Sequence, residues 1–350
     1  MSGLAISVWR EGGRIANVRV ASRRPDPARL LPGRAPADAV ALLGTLYSVC
    51  GHAQRAAGEL ALAAAEGRGL APATRAKLHA AVAGEAAQEH LWRLLVDWPR
   101  RLGLPVDQAA FAGWYRRCGA AGADWAGPLV EELAGWAGGA ALLAPRGARE
   151  PLVVALERFA ELSAADAWIA TGDTPFARCL RELRVACRGA DRPRRPAADE
   201  TGAYPRLADH PWVAALAAAG RGLEARVVAR YVALVELAAS LAAPARGERP
   251  DEALEFDADG PRPGVGRAVV STARGLLLHE ARLEAGVIRE YAIRTPTDRN
   301  FAPNGAYARA VAGLACGDDA EAERLAGLWA LALDPCVPFA VRATGEVARA

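Results

Sequence analysis

The spacing of helix breakers constrains this chain more than any other feature. Ala37 to Tyr47, Ala53 to Ala65 and Thr74 to Trp98 contain no Pro and one isolated Gly each. Leu91, Leu94, Leu95 and Trp98 recur at helical spacing, and Pro99 is expected to stop this third helix. Further helices are predicted at Gln108 to Cys118, Gly127 to Trp136, Glu150 to Ile169, Pro175 to Cys187, Leu223 to Leu241 and Ala320 to Leu333. Before them, Leu4 to Arg10 and Ile15 to Ala21 partly alternate around Glu11-Gly12-Gly13-Arg14, the pattern of a β-hairpin. After Gly266 the texture changes. Ala268 to Thr272, Leu276 to Arg282 and Val287 to Arg294 are short, β-rich and separated by glycine, which predicts a small antiparallel sheet near 266–295. Polar, Pro-rich stretches at 189–209 and 244–266 read as flexible surface loops. The fold class is mainly α (α+β).

Composition narrows the function classes. Apolar residues make up 52% and charged residues 24%, a globular balance that argues against gross disorder. Alanine is 84 of 350 residues and Lys77 is the sole lysine beside 42 arginines, so propensity scores are biased and spacing has to decide. The net charge is 43 − 40 = +3, too small for an electrostatic nucleic-acid binder. The cluster Arg181, Arg184, Arg188, Arg192, Arg194, Arg195 is broken by Glu182 and Asp191 and reads as a solvated face and linker. The start, Met1-Ser2-Gly3-Leu4, carries no signal-peptide pattern. The best membrane candidate, Val227 to Ala243, contains Arg230 and Glu236 and reads as a buried or amphipathic helix. Six scattered cysteines without a C-x-x-C pair suit free thiols in a reducing cytoplasm.

Generic catalytic signatures are missing: no G-x-S-x-G elbow, no phosphate loop, no H-E-x-x-H helix. What remains are two remote segments, Tyr47-Ser48-Val49-Cys50-Gly51-His52-Ala53-Gln54 and Asp334-Pro335-Cys336-Val337-Pro338-Phe339-Ala340-Val341-Arg342. Neither is specific alone. Together with other blocks they resemble the large subunit of nickel-iron hydrogenases, which holds its metals on two C-x-x-C motifs, one near each terminus. Gly33-Arg34-Ala35-Pro36-Ala37-Asp38-Ala39 is similar to the family's G-R-x-P-x-D-A, and counting on places Tyr47 at the first cysteine, Cys50 at the second and Gln54 at the histidine. Ala273-Arg274-Gly275 is similar to P-R-G, Gly286 to Tyr291 to G-x-I-x-x-Y, and Pro296 to Pro303 to P-T-x-W-N-x-x-P. Asp334-Pro335-Cys336 opens the last motif, but Phe339 replaces its second cysteine and Arg342 its histidine. The resemblance covers 1–66 and 264–342, and it implies a single, shortened large-subunit-like domain over 1–350 with both termini brought to one site.

The departures shape the function this resemblance implies. Of four thiolates two are kept, Cys50 at a bridging position and Cys336 at a nickel-terminal one, so no nickel is expected and hydrogen turnover is a poor fit. Arg274 and Thr297 would hydrogen-bond two cyanides, and Val49, Leu277 and Pro296 would form the apolar side facing a carbonyl. The eight residues after Arg342 predict no cleaved C-terminal extension. The combination looks like the HupK/HoxV group of hydrogenase accessory proteins. It implies a non-catalytic scaffold or carrier that transiently holds Fe(CN)2(CO) during maturation of a nickel-iron hydrogenase large subunit. The implied partners are a HypC-type assembly chaperone, alone or as a HypC–HypD complex, and the large-subunit precursor. The alternatives are a metal-free structural chaperone of hydrogenase subunits or other maturation factors, and a residual redox enzyme.

Bland readings stand beside these. Cys118, Cys179, Cys187 and Cys316 match no metal position and read as structural thiols. His52 reads as a capping or packing histidine, Glu85, Glu89 and His90 as a solvated helix face, and Asp251, Glu252, Glu255, Asp257 and Asp259 as solvated carboxylates.

Overall fold

Gly12 and Gly13 take positive φ values of 55° and 71°, which lets the first hairpin turn in two residues between β1 (Leu4–Glu11) and β2 (Arg14–Ser22). The computed structural model describes residues 3–22, 24–120, 122–137, 159, 161–187, 196–247 and 253–346. Leu4, Ile6 and Val8 alternate inward from β1. The third strand of this sheet comes from the far end of the sequence. β7 (Phe339–Glu346) lies parallel to β1, with Leu4 opposite Phe339 and Val8 opposite Ala343. The hairpin was legible from its turn residues; β7 has no local partner and was not.

A helical body follows the hairpin: α1 (Pro36–Leu46), α2 (Gly51–Ala65), α3 (Pro72–Trp92), α4 (Trp98–Arg101), α5 (Gln108–Cys118), α6 (Ala126–Trp136), α7 (Leu162–Thr171), α8 (Pro175–Ala186), α9 (Ala203–Arg206), α10 (Pro211–Ala218) and α11 (Gly222–Ala242). The second sheet runs antiparallel in chain order through β3 (Phe256–Arg262), β4 (Val265–Thr272), β5 (Gly275–Glu284) and β6 (Val287–Arg294). The chain then passes through α12 (Pro296–Asn300), α13 (Ala306–Val311) and α14 (Asp319–Leu333) before β7.

Several expectations change. Pro99 does not end the third helix: a π-helical turn, Arg93–Asp97, joins α3 to α4, and Trp98 N–H bonds Arg93 O across the widened turn. The turn accommodates the ring that a regular helix would reject. The predicted helix at 150–169 falls partly outside the described residues, and α7 occupies its second half. Within 244–266, read as loop, β3 forms the edge of the second sheet. Phe256-Asp257-Ala258-Asp259 alternates inward and outward with Phe256 as the buried anchor, but the pattern lasts four residues before Gly260-Pro261 and is easily missed in a polar, Pro-rich stretch. Within 189–209, Thr201 is pinned by Asn300, which accepts from Thr201 N–H and donates back to its carbonyl, both at 2.9 Å.

α11 is the central strut. It is the one described helix long and apolar enough to cross a membrane, yet 78% of its apolar window is buried inside the protein, as expected of a core helix. Its charges are matched in place: Glu224 by Arg184 and Arg221, Arg226 by Glu200, Arg230 by Asp334. α2 lies flat on the second sheet because β4 offers Gly266. A Cβ there would come within 1.9 Å of the Ala61 carbonyl oxygen. That close approach lets the buried face of β5 (Leu277, His279, Ala281) reach α2 side chains.

Candidate functional site

A cleft of about 630 Å³ opens where four remote pieces of chain meet. They are Ser22 at the end of β2 with Arg24 to Ala28, Leu46 to Cys50 at the junction of α1 and α2, Tyr291 to Thr295 at the end of β6, and Cys336-Val337 after α14. Cys50 and Cys336 both line it. The β1–β7 pairing and the packing of α2 on the second sheet together bring the two thiols onto one surface.

Cys50 is the N-cap residue of α2, but its side chain caps nothing. That task falls to Glu85 on α3, whose carboxylate accepts from His52 N–H (2.8 Å) and Ala53 N–H (3.1 Å). The Cys50 sulfur is therefore left to the cleft, where Gln54 Nε2 donates to it at 3.7 Å. Burial pushes the Cys50 thiol up to about 12, with smaller pushes from Cys336 and Glu85; the Gln54 hydrogen bond and Arg274 oppose them. Burial likewise raises Glu85 to about 7 against its two backbone donors.

Cys336 is aimed by Asp334. This residue ends α14 in the left-handed region (φ 54°), an uncommon conformation for a non-glycine residue, which turns the chain sharply before Pro335. Its buried carboxylate is held by Arg93 (2.5 Å), Arg230 (2.9 Å) and Arg274 (3.2 Å). Burial pushes the Asp334 carboxyl up, but Arg274, Arg93 and Arg230 outweigh it and hold it below the ordinary carboxylate range. The Thr297 hydroxyl accepts from Cys336 N–H (3.0 Å) and donates to Cys336 Sγ (3.2 Å). Arg24 adds a cationic donor, with Nη1 at 3.6 Å from the same sulfur and Nη2 paired to Asp298.

The expected site residues fall into two groups. Val49, Cys50 and Cys336 form the cleft surface. Pro296, Thr297, Leu277 and Arg274 are buried behind it; Thr297 reaches Cys336, and Arg274 is engaged by Glu89 (2.6 Å) and Asp334 while its charge bears on both thiols. The α3 face read as solvated is part of this wall. Glu85 caps α2, Glu89 pairs with Arg274, and His90 is buried, its Nδ1 3.1 Å from an Arg230 nitrogen. His52 is exposed and contributes its backbone N–H. Cys118, Cys179, Cys187 and Cys316 are buried, away from the cleft lining. Among the described residues no three His, Cys, Asp or Glu side chains group as a metal site. Arg24 escaped sequence reasoning because no motif covers it and its sulfur partner lies 312 positions away.

The chain matches no family model. It is 34% identical over 364 residues to the hydrogenase expression/formation protein HoxV of Cupriavidus necator, with 92% of each chain covered. To the hydrogenase expression/formation protein HupK of Rhodobacter capsulatus it is 33% identical over 357 residues, covering 97% of this chain and 98% of that one. The chain belongs to the HupK/HoxV family of hydrogenase expression/formation proteins. The fold of this HupK/HoxV-family chain resembles that of nickel-iron hydrogenase large subunits. The Ni-Fe-Se hydrogenase from Desulfovibrio vulgaris Hildenborough superposes with a TM-score of 0.59 at 15% identity, with 94% of each chain covered. An NAD+-reducing NiFe hydrogenase gives a TM-score of 0.53 at 15% identity, again over 94% of each chain. At such identity the likeness concerns the fold alone.

Proposed function

We propose that this HupK/HoxV-family chain acts in hydrogenase maturation as a non-catalytic, cytoplasmic carrier that transiently holds Fe(CN)2(CO) between Cys50 and Cys336, without nickel. The observation that carries the reading is the convergence of these two thiols on one cleft, each with a side-chain N–H or O–H donor aimed at its sulfur. Two soft sulfur ligands suit an iron that arrives with three diatomic ligands of its own and leaves coordination positions open for handover. On the cleft surface Arg24 is a donor suited to an anionic cyanide and Val49 an apolar contact, while Arg274, Thr297, Leu277 and Pro296, the further residues the carrier reading assigns to the cyanides and the carbonyl, are buried rather than on that surface. The proteins that would load and receive the fragment are a HypC-type chaperone or HypC–HypD complex and the large-subunit precursor. The names of the relatives, expression/formation proteins, support a place in that machinery.

The test is infrared spectroscopy with metal analysis on protein purified without oxygen from cells expressing the maturation machinery. Cyanide and carbonyl stretching bands with iron and no nickel are expected. Cys50→Ala and Cys336→Ala should each abolish the bands and hydrogenase maturation while the protein still folds. Variants that support maturation normally would replace the carrier with a metal-free structural chaperone.

A further inference from the structure

Gln54 does not meet Cys50 by itself; a buried chain of hydrogen bonds fixes its amide. Tyr291 lines the cleft on β6, and its hydroxyl lies 2.8 Å from His279 Nδ1. His279 Nε2 lies 2.9 Å from Gln54 Oε1, and Gln54 Nε2 faces the Cys50 sulfur. The polarity follows from the chemistry of each atom. Gln54 Oε1 can only accept, so His279 carries its proton on Nε2. Its Nδ1 is then a bare acceptor, and Tyr291 O–H donates to it. His279 is fully buried, and burial pushes its ring down to about 3, so one ring proton is present and one direction is consistent with the amide as placed.

Packing protects this chain. Gly58 on α2 faces it, and a Cβ there would sit 3.2 Å from the Tyr291 oxygen and 2.4 Å from Leu43 Cδ1. Glu85, Arg274 and Cys336 act on Cys50 through space, whereas Gln54 is the one described side chain that donates a hydrogen bond to its sulfur.

We propose that Gln54 is a positioning residue that keeps an N–H aimed at the Cys50 sulfur, and that His279 and Tyr291 set its direction. The sulfur is thereby held as a hydrogen-bond acceptor facing the cleft. The inference concerns the unloaded chain and stands whether or not iron is the cargo.

Two measurements on the full chain test it. In nitrogen-15 NMR of histidine-labelled protein, with His279 assigned by loss of its signals in His279→Gln, the Nε2–H tautomer is expected; the Nδ1–H tautomer overturns the proposal. The second is the rate at which iodoacetamide alkylates each cysteine at one fixed pH, resolved by peptide mass. Gln54→Glu keeps an acceptor for His279 and, when ionised, cannot donate, and Gln54→Met removes the donor without adding charge. Both should slow Cys50 about tenfold, the scale of one lost hydrogen bond to a charged group, and leave Cys336 unchanged. Tyr291→Phe should slow Cys50 by a smaller factor and guards against a Gln54 variant that fails to fold. Wild-type Cys50 rates in folded variants overturn the proposal, and so does slowing by Gln54→Glu without slowing by Gln54→Met.

Discussion

Cys336 depends on a single hydroxyl for both its backbone and its sulfur. Thr297 is 1% exposed, so Thr297→Val leaves Cys336 N–H without its partner in a nearly dry environment. The variant should lose about 1–3 kcal/mol of stability, read by urea denaturation. The high position of the Cys50 thiol, about 12, has a second consequence. In the proposed carrier role metal binds there by displacing a proton, so that role predicts iron retention weakening as pH falls, by about tenfold per unit for each proton released. Dialysis at stepped pH followed by metal analysis reads this directly. At this scale the two thiols were legible because each lies in a motif. Among their partners Gln54 was legible too, one helical turn from Cys50 at the motif's histidine position, but Arg24, Glu85 and the pairing of Gln54 with His279 act across strands and helices, and no sequence spacing reports a contact of that kind.

The N-terminus of α2 and the carboxylate that caps it work as one element. The folded pKa of Glu85, about 7, lies above the value of about 4.3 for an unfolded glutamate. Over that interval the folded state binds more protons than the unfolded one, so this group's contribution to stability declines as pH rises from about 4.3 to about 7. Glu85→Gln should flatten the corresponding fall in Tm. Glu224, also raised to about 7 by burial, keeps its own share of the slope. The seat of α2 on the sheet is equally exacting. Gly266→Ala places a methyl group against the Ala61 carbonyl and should cost about 1–3 kcal/mol or more, measured by thermal and urea unfolding. Most elements were legible from breakers and periodicity, including the hairpin, α2, α5 and the β4 to β6 meander. β3 and the π turn were not. The alternation of this edge strand lasts only from Phe256 to Asp259 before Gly260-Pro261, and a widened turn leaves no pattern that distinguishes it from a helix end.

Across the whole molecule, Asp334 ties together α3 and its π turn through Arg93, α11 through Arg230, the β4–β5 turn through Arg274 and α14 by its own backbone. Asp334→Asn would leave three buried guanidinium groups short of their shared counter-charge. The expected loss is about 3–5 kcal/mol, with a matching drop in Tm. Because the same residue aims Cys336, the variant should also alter the reactivity of that thiol ahead of Cys50. The sheet follows the same logic: the first described strand and the last lie side by side, and the thiols they help place are 336 − 50 = 286 positions apart.

That arrangement has a consequence for synthesis. β1 and Cys50 leave the ribosome long before Cys336 and β7 do. The two-sulfur cleft therefore cannot assemble until the chain through β7 has been made, and a chain cut short before Cys336 lacks it.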